Sequence, residues 1–128
     1  MAAAAIHVLH SRAQASPPVI GQTPVSNETG STVYAPLARA TDSVIVSALT
    51  SDGFEVRRGT SAGAPTLQAK LVLWNGEPSV GLQVVGRDGL VRWSGTTRGG
   101  AAAIPREIDR YIDEYAAKAG VARRRSGP

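Results

Sequence analysis

The chain has 128 residues and a mass of 13.3 kDa, and 42% of its residues are hydrophobic. This length suits one compact domain with short tails, so a single domain is predicted rather than two. The apolar content suffices for a buried core, which excludes wholesale disorder. The sequence contains no cysteine, which excludes disulfides, thiol nucleophiles, thiolate metal sites and a lipid-modified cysteine within it. No apolar run approaches the roughly 18 residues that cross a bilayer, so no membrane span is predicted.

The formal net charge of +4 is concentrated at one end of the chain. Four of the 14 basic residues follow Tyr115, where no acidic residue occurs, and the other ten are matched by ten acidic residues. The body is therefore neutral, and the basic character belongs to a tail that contains Arg123, Arg124 and Arg125. These three arginines are candidate contacts for an anion such as a phosphate, although the neutral body argues against nucleic acid as the main partner.

The first 17 residues are predicted to lie outside the folded domain. Ala13-Gln14-Ala15 precedes a Ser-Pro-Pro segment and resembles the small-residue site that signal peptidase cleaves. The apolar stretch before it is short and includes His7. Two interpretations stay open: the remnant of a secretory leader whose true start lies upstream, or a flexible tail. The predicted organisation is a tail or leader over 1–17, one domain over 18–120 and a basic tail over 121–128.

The first half of the body alternates between extended and helical patterns. A strand is predicted over Val19–Val25, and the Asn and Gly of residues 26–30 are typical of a turn. Apolar residues at three- and four-residue spacing over 36–49 predict an amphipathic helix, which Gly53 would end with a left-handed cap. A second strand is predicted over 54–57.

The second half is predicted to be an antiparallel meander followed by a helix. Alternating apolar and polar residues predict three strands, over residues 67–74, 80–84 and 91–97. Asn75-Gly76 indicates a hairpin between the first two, with Glu77-Pro78 expected to lengthen its loop. The final helix is predicted from Pro105 to Gly120, with a buried stripe formed by Ile104, Ile108, Tyr111, Ile112, Tyr115 and Ala119.

This order of elements predicts an α+β fold of the α/β-sandwich kind. One mostly antiparallel sheet of about five strands would pack against two amphipathic helices, in the order β-α-β-β-β-β-α. Trp93 is expected in the core beneath a helix, since large aromatic side chains dominate core burial. Trp74 lies on the polar face of its strand next to the hairpin, so either burial or exposure is open for it.

No catalytic or metal-binding set is complete in the sequence. Gly59-Thr60-Ser61-Ala62-Gly63 matches the pattern of a nucleophile elbow, but a strand is predicted after Ser61 where an elbow requires a helix. The only histidines, His7 and His10, lie in the N-terminal tail, and two ligands do not make a zinc site. A hydrolase that uses Ser61 is therefore a minor alternative. We predict no enzyme activity, no metal and no cofactor.

The acidic residues of the last predicted helix are expected to face solvent. They are interleaved with Arg106 and Arg110 at helical spacing, which is typical of an exposed, ion-paired face rather than of a general acid or a cation site. The acidic residues concerned are Glu107, Asp109, Asp113 and Glu114.

Two stretches of the sequence resemble a group of bacterial envelope domains. The first runs from Val19 through the Asn27-Glu28-Thr29-Gly30 turn, and the second is a strand-turn-strand over 80–95 that ends in Trp93-Ser94-Gly95. Similar segments occur in the amino-terminal domain of TolB, the curli-secretion lipoprotein and the lipoprotein activators of penicillin-binding proteins. The resemblance covers about 19–120 and implies a non-enzymatic α/β adaptor that docks onto another envelope protein.

The sequence therefore predicts a non-catalytic interaction module of the bacterial cell envelope, periplasmic or secreted if a leader exists upstream and otherwise cytoplasmic. Its partner would be another envelope protein, with oligomerisation left open and no small-molecule substrate. The candidate partner-binding residues are Arg39, Asp42 and Ser43 on the expected outer side of the first helix, and Trp74 and Asn75 at the hairpin. The alternative from another class is a phage or cytoplasmic structural protein that contacts nucleic acid through its basic C-terminal tail.

Overall fold

Two helices lie against one side of a mixed sheet in the computed structural model, which describes residues 16–121. The strands are β1 (Val19–Gln22), β2 (Ser26–Asn27), β3 (Glu55–Arg58), β4 (Thr66–Trp74), β5 (Glu77–Val85) and β6 (Val91–Thr96), and the helices are α1 (Ala35–Ser51) and α2 (Ile104–Lys118). The predicted α+β fold, with one sheet and two helices, is confirmed.

The sheet has the order β3-β1-β4-β5-β6, with β2 as an additional short partner of β4. The long ladders, β4 with β5 and β5 with β6, are antiparallel. The short ladders of β1 with β3, β1 with β4 and β2 with β4 are parallel. Strands β1 and β3 are adjacent and parallel, and parallel neighbours require a long crossover connection. Helix α1 lies in this connection.

Both helices lie where the sequence predicts, although α1 extends to Ser51 and α2 ends at Lys118, before the predicted Gly120. Each carries a proline in its first turn, where the missing N–H costs nothing. After α1 the chain reverses at Gly53, whose φ of 104° is accessible to glycine at little cost. In α2, Glu107 lies in the first turn and Lys118 in the last, so both side-chain charges oppose the helix dipole favourably.

The core lies between the helices and one face of the sheet. It is built mainly from aliphatic side chains, and Trp93, with 8% of its surface exposed, is buried beneath α2 as expected. The fully buried large side chains include Ile20, Ile45, Leu49, Leu67, Leu71, Val80, Val84, Ile104, Ile108 and Ile112. On α2 the buried stripe continues to Ala116 rather than to Ala119, which is exposed, because the helix ends at Lys118.

The predicted first strand is wrong in its length. It ends at Gln22 rather than at Val25, and two residues of the predicted turn, Ser26 and Asn27, form β2, which pairs with β4. The turn that follows β2 is closed by its own side chains: the Asn27 carboxamide accepts from the Thr29 backbone N–H at 3.2 Å and from the Thr29 hydroxyl at 2.7 Å, and donates to the Ser31 carbonyl at 3.0 Å. The Asn-x-Thr-Gly pattern is therefore explained by local turn chemistry.

The predicted lengthening of the β4–β5 hairpin is also wrong. Trp74 pairs directly with Glu77, so the loop consists of Asn75 and Gly76 alone, with φ values of 53° and 79°. Positive φ at both positions is typical of a type I′ turn. Pro78 is accommodated inside β5 because it pairs with Leu73 next to the hydrogen-bonded closing pair, a position where its nitrogen is not needed for bonding to β4.

Candidate interaction surface

The face of β4, β5 and β6 that points away from the helices forms a broad polar surface. Successive side chains of a strand point to opposite faces of the sheet, so the residues that alternate with the core residues of these strands lie on this side. We call this surface the open face. It is defined by Gln68, Lys70, Val72, Trp74, Gly81, Gln83, Ser94 and Thr96.

A shallow groove of about 430 Å³ crosses the open face. Its floor is neutral and rich in hydrogen-bonding groups: the Gln83 carboxamide donates to that of Gln68 at 2.8 Å, and Ser94 and Thr96 lie beside them on β6. One charged group of each sign, Lys70 and Glu28, also lines it. Such a surface can offer directional hydrogen bonds and a few charges to a partner.

The hairpin tip places a large apolar side chain at the end of the open face. Trp74 has 71% of its surface exposed, although an indole of this size is usually buried. It lies directly before the type I′ turn, and the neighbouring Asn75 is exposed as well. The open question of whether Trp74 is buried is therefore answered in favour of exposure. A rigid aromatic group on a tight turn suits insertion into a partner's pocket.

Of the three α1 candidates, the structure places Arg39 and Ser43 on the exposed side of the helix but not Asp42. The expectation that Asp42 faces outward is wrong. Its side chain is only 20% exposed and turns toward the end of β1, where its carboxylate accepts from Gln22 Nε2 at 2.8 Å and from Arg58 Nη2 at 2.6 Å. It also accepts from the Val25 backbone N–H at 3.2 Å.

This arrangement gives Asp42 a structural role. The Gln22 side chain is fully buried, and its oxygen accepts from Arg58 while its nitrogen donates to Asp42. Partial burial alone would raise the pKa of Asp42, but the hydrogen bonds from Gln22 and Arg58 and the charge of Arg58 together hold that pKa below its ordinary value of 3.8. The network ties α1 to β1 and β3, so Asp42 is not free to serve a partner.

The Ser61 pattern does not form a nucleophile elbow. Ser61 lies in the loop between β3 and β4, and the element that follows it is a strand, as predicted. An elbow instead presents its serine between a strand and a helix. The histidines His7 and His10 lie outside the described residues.

The acidic residues of α2 are engaged with neighbouring groups. Glu107 accepts from Arg110 at 3.1 Å and from the Arg98 backbone N–H at 3.3 Å, and Arg110 lowers its pKa by that hydrogen bond. Glu114 accepts from the Trp93 indole N–H at 3.3 Å. Within residues 16–121, no three metal-ligating side chains gather into a cation site. These contacts agree with the predicted ion-paired surface, although Glu107 itself is largely covered.

The Trp-Ser-Gly pattern at the end of the meander has a packing explanation. Trp93 contacts the rings of Tyr111 and Tyr115 with centroid distances of 5.9 and 5.7 Å. A side chain at Gly95 would place its Cβ 2.9 Å from Tyr111 Cδ1, so glycine lets that ring lie flat against β6. Ser94, between them, belongs to the open face. Two of the three residues are therefore fixed by the core.

Sequence patterns did not reveal the open face or the Gln22–Asp42–Arg58 network. Alternation in β4 and β5 marked one polar face, but it could not show that both helices cover the same side of the sheet. The network joins residues 16 to 36 positions apart, and no local pattern predicts such a contact. The proposed anion contacts Arg123, Arg124 and Arg125 lie outside the described residues, as does most of the predicted tail over 121–128.

Within the described part of the chain, neither helix has the length and hydropathy of a membrane-spanning segment.

No protein-family model and no curated protein matches the sequence. Solved structures do match the fold. The PelC dodecamer from Paraburkholderia phytofirmans is 21% identical with a TM-score of 0.51, over 84% of this chain and 89% of that chain.

TolB from Acinetobacter baumannii is 11% identical to this chain with a TM-score of 0.54. The match covers 84% of this chain and 29% of TolB, so it concerns one part of that larger protein. At these identities the likeness shows a shared fold. The chain therefore has the α+β architecture found in PelC and in part of TolB, in agreement with the resemblance to TolB seen in the sequence.

Proposed function

We propose that this chain is a non-catalytic accessory protein of the bacterial cell envelope, which binds another envelope protein through the open face and the Trp74 hairpin tip. The observation that carries the proposal is the open face itself, which ends in an indole that is 71% exposed. The fold shared with TolB and PelC supports the assignment to the envelope. The Ala13-Gln14-Ala15 pattern supports a periplasmic location.

The composition of the surface favours a protein partner. A buried aromatic anchor surrounded by groups that form hydrogen bonds is the usual energetic centre of a protein interface. Here Trp74 supplies the anchor, while Gln68, Gln83 and Ser94 supply donors and acceptors farther along the same face, at the level of Gln68, which precedes Trp74 by six residues on β4. The charges of Lys70 and Glu28 balance each other, so the surface favours no strongly charged partner.

The experiment is site-specific photo-crosslinking in the native organism. A photoreactive residue at position 74 or 68 is expected to capture the same protein, recovered from the periplasmic fraction. The matched control carries the photoreactive residue at Thr50, which is exposed on α1. Capture from positions 39 and 43 but not from 68 and 74 would move the interface to α1 and contradict the proposal, and a strictly cytoplasmic chain would contradict its envelope location.

A further inference from the structure

The sheet has two edges, and they are protected differently. The β3 edge is four residues long and includes Glu55, Arg57 and Arg58, of which Arg57 is ion-paired with Glu55. Charged residues and short length are common means of preventing unwanted pairing at an edge. The β6 edge is six residues long, and Arg92 is its only charged residue. The register with β5 shifts at Arg92, so this residue forms a bulge, and regular pairing runs only from Trp93 to Thr96. Leu90 and Val91, at its start, are 60% and 55% exposed.

The register of β6 shows which backbone groups point outward. Residues 93, 95 and 97 lie opposite Val84, Leu82 and Val80, and the Thr97 N–H donates to the Val80 carbonyl at 3.0 Å. In an antiparallel ladder, hydrogen-bonded positions alternate. The backbone N–H and C=O groups of Ser94 and Thr96 therefore point away from β5, toward the free edge. The Tyr111 hydroxyl donates to the Thr96 carbonyl at 3.0 Å. This hydrogen bond occupies one of the two acceptor positions of the Thr96 oxygen and leaves the other open.

We propose that β6 pairs antiparallel with β6 of a second copy of this chain, about a two-fold axis at Ser94. In this register Ser94 exchanges both outward hydrogen bonds with Ser94 of the second copy, and Trp93 lies opposite Gly95. The bulged Arg92 lies beside Thr96 of the second copy, at the end of the pairing. A register centred one residue later would instead place Arg92 opposite Arg98, with two like charges facing each other. The pairing joins two sheets and two open faces into one continuous surface.

The charges of α2 beside the edge favour the antiparallel direction. Arg110 lies over the Tyr111 ring at 4.5 Å from its centroid, next to the Thr96 end of the edge. It is ion-paired with Glu107, and Arg98 at the same end leaves this end with an excess of positive charge. Glu114 accepts from Trp93 near the other end, where Arg92 is neutralised by its ion pair with Asp88, so this end has an excess of negative charge. Antiparallel pairing therefore brings the positive end of one edge beside the negative end of the other, whereas parallel pairing would align like charges. This self-complementarity is the reason a second copy fits the edge.

The first test measures the mass of the purified full chain by sedimentation at increasing concentration. We expect the mass to approach twice 13.3 kDa. Ser94→Lys and Ser94→Glu each place like charges opposite one another and should weaken self-association at least about tenfold, whereas an equimolar mixture should form a heterodimer. The control Thr50→Lys should associate as the unmodified chain does. Circular dichroism confirms that each variant is folded.

The second test uses the absence of cysteine. Cα atoms of a hydrogen-bonded antiparallel pair lie about 5.5 Å apart, within the range that a disulfide spans. Oxidation with diamide should therefore link Ser94→Cys chains into a covalent dimer and leave Thr50→Cys chains mostly unlinked. A monomer at every concentration, undiminished association of Ser94→Glu, or equal crosslinking of both cysteine variants would overturn the proposal. Both readouts use the purified chain alone, so they are independent of the envelope partner captured through Trp74.

Discussion

The two faces of the sheet differ in what constrains their residues. On the helix side, every position from Leu67 to Leu71 that points inward is buried against α1 or α2. On the open face, side chains such as Lys70 and Trp74 contact little and could be replaced without disturbing the core. Where folding does not require a residue, its chemistry is available for binding. The comparison predicts that stability resides on one face and partner binding on the other.

The largest expected effect is the difference in the free energy of unfolding between a substitution on the helix side and one on the open face. Ile108 is fully buried between α2 and the sheet, so Ile108→Ala should lower the free energy of unfolding by about 2–5 kcal/mol through lost burial and a new cavity. Lys70→Ala, on the open face, should change it by less than about 0.5 kcal/mol. Urea denaturation of both variants measures the difference, and equal losses would contradict the contrast between the faces.

Two glycines in the adjacent strands β5 and β6, one on each face of the sheet, test the same difference between the faces. Gly95 faces the Tyr111 ring, so Gly95→Val should cost about 1–3 kcal/mol through overpacking. At Gly81, on the open face, a Cβ would meet only Lys70 Cγ at an ordinary 3.8 Å. Gly81→Val should therefore be neutral or slightly stabilising, since valine favours strands. Thermal unfolding curves test the pair, and a larger loss at Gly81 would reverse the assignment of the faces.

The Asp42 network predicts a pH-dependent contribution to stability. Because the pKa of Asp42 is lower in the folded chain than its ordinary value of 3.8, the ionised carboxylate stabilises the fold above that pH. The contribution is lost as the pH falls through the folded-state pKa. Asp42→Asn should therefore be less stable by about 1 kcal/mol at pH 7, and its deficit should shrink as the pH falls below 3.8 and through the folded-state pKa.

Asp88 provides the control for this prediction. Its carboxylate is exposed on the β5–β6 turn and paired with Arg92. Exposed ion pairs contribute little to stability, so Asp88→Asn should leave the free energy of unfolding at pH 7 nearly unchanged. Denaturation series at several pH values compare the two variants. If Asp42→Asn keeps the same deficit at all pH values, the stabilisation does not depend on ionisation of Asp42.

The sequence predicted those parts of the fold that depend on local periodicity. Helices α1 and α2 and the meander follow from the spacing of apolar residues, and the cap at Gly53 follows from the residue type. The early end of the first strand, the pairing of β2 with β4 and the role of Asp42 could not be predicted, because they depend on contacts between distant segments. Pro78 misled the interpretation of the hairpin, since its effect depends on which side of the strand lacks a partner.

The candidate site was predictable only in part. Trp74 and Asn75 were identified because an aromatic residue next to an Asn-Gly turn is an identifiable local feature. The rest of the open face required knowledge of the sheet order and of the side that the helices cover. The α1 residues Arg39 and Ser43 remain untested candidates on the exposed side of the helix.

The most direct test of the central claim measures stability and partner capture in one variant. Trp74→Ala removes a side chain that is 71% exposed, so the free energy of unfolding should stay within about 0.5 kcal/mol of the unmodified chain. With a photo-crosslinker at position 68, the same change should reduce capture of the envelope partner at least about tenfold, as expected for an aromatic anchor. Unchanged capture by the folded Trp74→Ala variant would contradict the claim that this end of the open face is the binding site.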